Sequence, residues 1–223
     1  MTLLTFFGCA LTAYGPPLAI FFLTIAKDAQ LVILMVSSAF FWLISILAAS
    51  SIWFIAKSAR TIDVITVLYS VLLQELFRWF FYKLISRAES GLILASTNPT
   101  SPYNRSSFAF VSGLGFGLMS GLVTYITLLV NSIGPGVLIS ITTCLFILLH
   151  ITWMMLAFEG FSDPKRKYYY IIWVVLSHLG ASYMTLFNES KIEFGCVIGI
   201  LINMVILTVS AVASLMTLKK VHT

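Results

Sequence analysis

The chain reads as an all-α membrane protein, a single bundle of seven transmembrane helices with its N-terminus luminal or extracellular and its C-terminus cytosolic. Three observations carry that reading. Of 223 residues, 60% are hydrophobic and 9% are charged, against roughly a quarter charged in an ordinary soluble domain. Seven stretches run to about 20 mostly apolar residues, the length a helix needs to cross the hydrocarbon core. The basic residues crowd the connectors on one side of those stretches.

The seven stretches are 3–26, 31–56, 64–85, 108–130, 137–158, 168–187 and 194–218. Each must be helical, because backbone groups left unpaired in lipid cost several kcal/mol apiece. The first carries Gly15-Pro-Pro, which frees the carbonyls of Thr12 and Ala13 and kinks the helix. The third holds Gln74, Glu75 and Arg78 in the run Leu72-Leu-Gln-Glu-Leu-Phe-Arg. The fourth reads Val111-Ser-Gly-Leu-Gly-Phe-Gly-Leu-Met-Ser-Gly, so Gly113, Gly117 and Gly121 recur every four residues along one stripe, widened by Ser120. Such a stripe lets a second helix approach until backbones touch; it serves either a crossing within the bundle or a face for partner subunits. The fifth and sixth stretches contain His150 and His178. Between the third and fourth, a polar segment from Ser86 to Ser107 reads as the one long connector.

Orientation follows from the distribution of Lys and Arg, since basic residues flanking helices are retained in the cytosol. One side holds nine: Lys27, Lys83, Arg87, Arg105, Lys165, Arg166, Lys167, Lys219 and Lys220. The other holds three, Lys57, Arg60 and Lys191. The net charge of +5 is therefore topological, and no basic face exists to follow a nucleic acid backbone. Lys27 follows the first stretch, which reads as an uncleaved anchor. Asn188-Glu-Ser is a glycosylation sequon on the outer side, close to the membrane.

Several reaction classes lack their residues. An intramembrane aspartyl protease needs two embedded aspartates, but Asp28, Asp63 and Asp163 sit at helix ends. No His-Glu-x-x-His run or Cys-x-x-Cys pair is present, and Cys9, Cys144 and Cys196 lie far apart; no metal or cofactor is expected. Ser182 follows His178 by four residues on one helix, without a further activating group. What remains is a set of ionisable groups in apolar helices, which mark functional candidates in membranes. Glu75 and Arg78, one turn apart, can neutralise each other, and each histidine alone fits a neutral hydrogen-bonding core residue. Together, Gln74, Glu75, Arg78, His150 and His178 point to a shared polar cavity.

Phe6-Phe-Gly-Cys, Tyr14-Gly-Pro-Pro, Ala39-Phe-Phe-Trp-Leu, Val71-Leu-Leu-Gln-Glu-Leu-Phe-Arg, Tyr82-Lys-Leu, the glycine stripe, Gly134-Pro-Gly-Val, Leu149-His-Ile-Thr-Trp and Ser177-His-Leu follow one another along the chain. In that order they resemble the anterior-pharynx-defective (Aph) subunit of gamma-secretase. The resemblance implies a seven-helix, non-catalytic scaffold that assembles with nicastrin and binds presenilin, the aspartyl protease subunit, together with the presenilin enhancer. It implies a complex made in the endoplasmic reticulum and Golgi, reaching the plasma membrane and endosomes, that processes type I membrane proteins such as Notch and amyloid precursor protein. It further implies that Gly113, Gly117 and Gly121 support assembly and that His150 and His178 line a cavity contacting presenilin.

A second resemblance keeps an enzymatic alternative. Phe146-x-x-x-His150 and His178-x-x-x-Ser182 are similar to two motifs of the CAAX prenyl-protein endopeptidases, in which glutamate and histidine activate a water. Counted back from Arg78, Leu73-Gln74 stands where that family has two glutamates, and Glu75 falls one place late. Each residue turns a helix by about 100°, so Glu75 points elsewhere, and an amide cannot act as general base. A small transporter, using the carbonyls freed at Gly15-Pro-Pro, is a third reading.

Overall fold

A computed structural model describes residues 3–56, 61–101, 104–130, 136–163, 165, 167–186 and 194–219. Within them the chain forms α1 (Leu3–Ile20), α2 (Ala29–Ile55), α3 (Asp63–Leu94), α4 (Asn104–Val130), α5 (Gly136–Ser162), α6 (Lys167–Thr185) and α7 (Gly195–Lys219), with no strand among the described residues. Six of the seven helices are long and apolar enough to cross a membrane; α6, with Tyr168, Tyr169, Tyr170, Ser177 and His178, is not among the six. Lys57, Arg60, Arg166, Lys191, Lys220 and the Asn188 sequon lie outside the described residues.

α4 and α5 form the centre. In these two helices 61% and 72% of the apolar window is buried, against 22% or less in the other four spans. α4 is clasped between α5 and α2, while α5 also meets α7, α1, α6 and α3. The surface is apolar and the interior holds polar groups, the pattern expected where lipid is the solvent. On α3, Leu72, Leu76, Phe80 and Leu84 face out every fourth residue, while Gln74, Arg78, Phe81 and Tyr82 face in.

Two expectations need correction. The disturbance expected at Gly15-Pro-Pro is observed further along: α1 runs through Pro16 and Pro17 and passes at Phe21–Ile25 into a π-helical turn, closed by the Ala26 amide donating to the Phe21 carbonyl at 2.9 Å. The segment from Ser86 to Ser107 is largely helical, because α3 continues to Leu94 and α4 starts at Asn104. Apolar length locates only the part of a helix inside the hydrocarbon. Beyond it, hydrogen bonds hold α3: Gln30 Nε2 donates to the Leu92 carbonyl at 2.7 Å. Asp28 caps α2 by accepting from the amides of Gln30 and Leu31, and its second oxygen accepts from the Thr97 hydroxyl at 2.7 Å. Across the connector Arg105 pairs with Glu89 at 3.6 Å and donates to the Tyr82 hydroxyl at 3.2 Å.

The glycines set how closely helices approach. A methyl on Gly113 would stand 2.6 Å from Ile151 Cα, and one on Gly117 2.6 Å from the Ile147 carbonyl oxygen. At Gly121 the obstacle is the Ile147 side chain, at 2.7 Å. The stripe is therefore filled by α5. Gly115, two residues off the stripe and roughly 200° around the helix, does the same against α2: its methyl would collide with the Met35 carbonyl oxygen and with Ser38 Oγ. Ser38 donates to the Ser112 carbonyl at 2.7 Å beside this contact.

Gly115→Ala should lower stability by about 1–3 kcal/mol, because backbone rather than a flexible tip must yield. Gly180→Ala meets nothing within 4 Å and should be neutral or slightly stabilising. Reversible unfolding in mixed micelles reads both; equal behaviour of the two variants would contradict the α2–α4 contact.

Candidate functional site

The helix period brings the polar residues of α3 to one inward face. Gln74 and Arg78, four residues apart, both point into the bundle, and Glu75 reaches Arg78 one turn on. Arg78 Nε donates to Glu75 Oε2 at 3.0 Å and its Nη2 to Oε1 at 3.2 Å, a two-pronged pair. The guanidinium is fully buried, so its remaining donors need partners. They meet His150 of α5, at Nδ1 (3.2 Å) and at the carbonyl oxygen (3.5 Å). The Arg78 guanidinium carbon also sits 4.9 Å from the Phe116 ring centroid, where a cation is attracted to the aromatic face.

The donors assign the tautomers. A guanidinium only donates, so His150 Nδ1 accepts, and in the neutral ring Nε2 carries the hydrogen toward Ser120 Oγ of α4, 3.1 Å away. A carboxylate only accepts, so His178 Nδ1 of α6 donates to Glu75 Oε1 at 2.6 Å. Trp153 stacks on His178 with centroids 4.4 Å apart and stands edge-on to His150 at 5.3 Å. Gln74 accepts from Trp42 Nε1 of α2 at 2.9 Å. Four helices thus meet around one carboxylate and one guanidinium, with α2 fixing the neighbouring amide.

A cavity of about 310 Å³ lies beside this cluster, lined by Gln74, Ser120, His150, His178 and Ser182. It continues to Thr66, Thr127 and Thr185, near the start of α3 and the ends of α4 and α6. All five sequence-selected polar residues therefore converge on one region. The stripe glycines join it indirectly: a methyl on Gly113 would reach within 3.0 Å of the His150 carbonyl oxygen, and one on Gly117 within 3.2 Å of His150 Cβ. Sequence reasoning passed over Trp42, Trp153, Phe116 and Gly115. Gly115 had a signal, the small-residue spacing Ser112-x-x-Gly115 on the opposite face of α4. Trp42 and Trp153 stood inside motifs of the resemblance without a role of their own, and Phe116 inside the glycine run, because their part depends on how neighbouring helices are rotated.

Chemically the cluster is closed on itself. Glu75 accepts from Arg78 through both oxygens and from His178 through one, and the pair carries no net charge. Among the described residues no group of three or more His, Cys, Asp or Glu side chains is placed to hold a metal ion.

Fold and site together define a helical membrane bundle whose interior is knit by glycine-mediated backbone contact and a neutralised ion cluster. The chain belongs to the Aph-1 family, whose model, described as Aph-1 protein, matches residues 4–220. It is 38% identical over 209 residues to the gamma-secretase subunit Aph-1b of Danio rerio, covering 84% of this chain and 80% of that one. It is 36% identical over 204 residues to the gamma-secretase subunit Aph-1 of Drosophila melanogaster, covering 86% and 84%. With the gamma-secretase subunit APH1-like of Arabidopsis thaliana it shares 28% over 221 residues, covering 90% and 87%.

Removing one charge should be worse than removing both. Arg78→Met strands a carboxylate among apolar helices and should cost about 3–5 kcal/mol, whereas Glu75→Gln with Arg78→Met together should recover most of that loss. A double-mutant cycle on unfolding in mixed micelles measures the coupling; additive losses would show that the two groups do not form a buried pair.

Proposed function

We propose that the chain is a non-catalytic scaffold subunit of a gamma-secretase complex. It spans the membrane seven times with its N-terminus luminal and its C-terminus cytosolic, and it holds presenilin, nicastrin and the presenilin enhancer in one assembly. The observation that carries this reading is similarity along nearly the whole chain to relatives named as gamma-secretase subunits, in animals and a plant. Catalysis then belongs to presenilin, and the complex processes type I membrane proteins such as Notch and amyloid precursor protein. It resides in the endoplasmic reticulum and Golgi and reaches the plasma membrane and endosomes.

The geometry supports a supporting role over a hydrolytic one. A general base must be able to accept a proton from water, and Glu75 is committed to Arg78 and His178. The seventh span is α6, whose mid-helix polar groups meet neighbouring helices: Ser177 and His178 are buried, His178 against Glu75, and Trp173 Nε1 donates to Ser210 Oγ of α7 at 3.0 Å. Gly113, Gly117 and Gly121 support assembly through this chain's own fold, by seating α5 so that His150 reaches Arg78. The cavity beside His150 and His178 is the region offered to presenilin, approached from the outer end marked by Thr66, Thr127 and Thr185.

Affinity purification of the tagged chain in mild detergent, followed by mass spectrometry, tests the reading. Presenilin, nicastrin and the presenilin enhancer should co-purify with the wild type, and their recovery should fall severalfold with Gly117→Leu. Wild-type chain that brings down none of them would overturn the proposal. Cysteine labelling of the two chain ends should report opposite sides of the membrane; labelling on one side would remove the seven-span topology.

A further inference from the structure

We propose that the end of the bundle carrying Lys27, Arg105 and Lys219 holds an anionic phospholipid, with one acyl chain in the cavity beneath the π-helical turn and the headgroup against Lys27 and Lys219. The cavity measures about 260 Å³ and lies between five elements: Thr24 and Ile25 of the π turn, Leu31 at the start of α2, Phe110 and Val111 of α4, Met155 of α5 and Leu218 of α7. Most of its lining is apolar. Thr24, Ser106 and Ser107 bring hydroxyls to the same cavity.

The size and the charges select the occupant. A hydrocarbon chain is far thinner than a helix, which is about 10 Å wide, and the walls it would touch, Ile25, Leu31, Phe110, Val111, Met155 and Leu218, are apolar. An apolar hollow left empty in a membrane loses the dispersion contacts of its whole lining. Cations stand within two residues of the lining at three places, Lys27 after Ile25, Arg105 before Ser106 and Lys219 after Leu218. Arg105 is engaged by Glu89 and lies beside a small adjoining cavity with Glu159, so the headgroup falls to Lys27 and Lys219. Asp28, the carboxylate next to Lys27, is committed to capping α2 and to Thr97. Basic residues at a membrane surface attract anionic headgroups, and this is the end read as cytosolic, independently of which proteins the chain assembles with.

Native mass spectrometry of the full chain in mild detergent, titrated with phosphatidylserine, phosphatidylcholine or inorganic phosphate, provides the test. One phosphatidylserine should be retained, with phosphatidylcholine retained at least tenfold less and phosphate not competing. Lys27→Gln with Lys219→Gln should weaken retention roughly thirtyfold, the effect expected of two cations near a charged surface. Leu218→Trp, which fills the cavity, should abolish it, while Leu201→Trp, on the lipid-facing side of the same helix, should match the wild type. Equal retention of the two lipids, displacement by phosphate, indifference to the lysine pair or equal loss in Leu201→Trp would each overturn the proposal. The surface lysine variant keeps the test decisive if Leu218→Trp does not fold.

Discussion

The close approach of α4 to α5 governs the interior of this molecule. At Gly113 and Gly117 the nearest obstacles to an added methyl are backbone atoms of Ile147 and Ile151, at 2.6 Å, so no rotamer change in α5 could admit one. The same two glycines lie against the His150 carbonyl and the His150 Cβ. Backbone contact therefore sets how deeply the imidazole reaches, and that depth decides whether Nδ1 meets Arg78 and Nε2 meets Ser120. Packing stripe and polar cluster are one construction, and neither can be altered without moving the other.

Lipid explains why the interior is polar at all. Hydrocarbon outside the bundle offers nothing to a hydrogen-bonding group, so such groups face inward and find each other. A guanidinium with no exposure to solvent would be untenable alone. Here a carboxylate one turn away, an imidazole and a backbone carbonyl on α5, and the face of Phe116 surround it. Such a pair adds little net stability compared with apolar side chains. What it supplies is specificity: Glu75 and Arg78 are satisfied together only when α3, α5 and α6 stand in one rotation and one register, because His150 and His178 come from different helices.

The legible part of this fold was the part dictated by lipid. Six of the apolar stretches coincide with helices long and apolar enough to cross a membrane, and the four-residue glycine period located the face that α5 fills. The same criterion failed where lipid stops. Residues 86–94 are helical because Leu92 accepts from Gln30 and Glu89 meets Arg105, and long-range partners leave no periodic trace. Pro16 and Pro17 announced a disturbance in α1, yet the π turn appears at Phe21, beyond the two prolines. For the site, rarity identified the residues, since any ionisable group inside an apolar helix stands out. Pairing was not legible, because which nitrogen faces which oxygen depends on helix rotations that the sequence states only through packing. Gly115 was hidden by the better-known pattern beside it.

A bundle built this way separates two tasks by depth. α4 and α5 are mostly enclosed by the chain's own helices, and the polar groups that demand exact partners are spent within it. α2, α3 and α7 turn large apolar side chains outward, among them Phe40, Leu76, Phe80, Leu201 and Val205, and none of these is needed to satisfy a buried charge. Lipid and another helix are nearly equivalent partners for such a surface, since hydrophobic burial distinguishes them poorly. Exchange of one for the other can therefore proceed without disturbing Glu75, Arg78 or the histidines. The cavity running from His150 toward Thr66, Thr127 and Thr185 differs from that surface, because it sets hydroxyls and two imidazoles among its apolar lining. That polar contrast lies beside the wall that the glycines of α4 position, since Gly113 and Gly117 pack against His150.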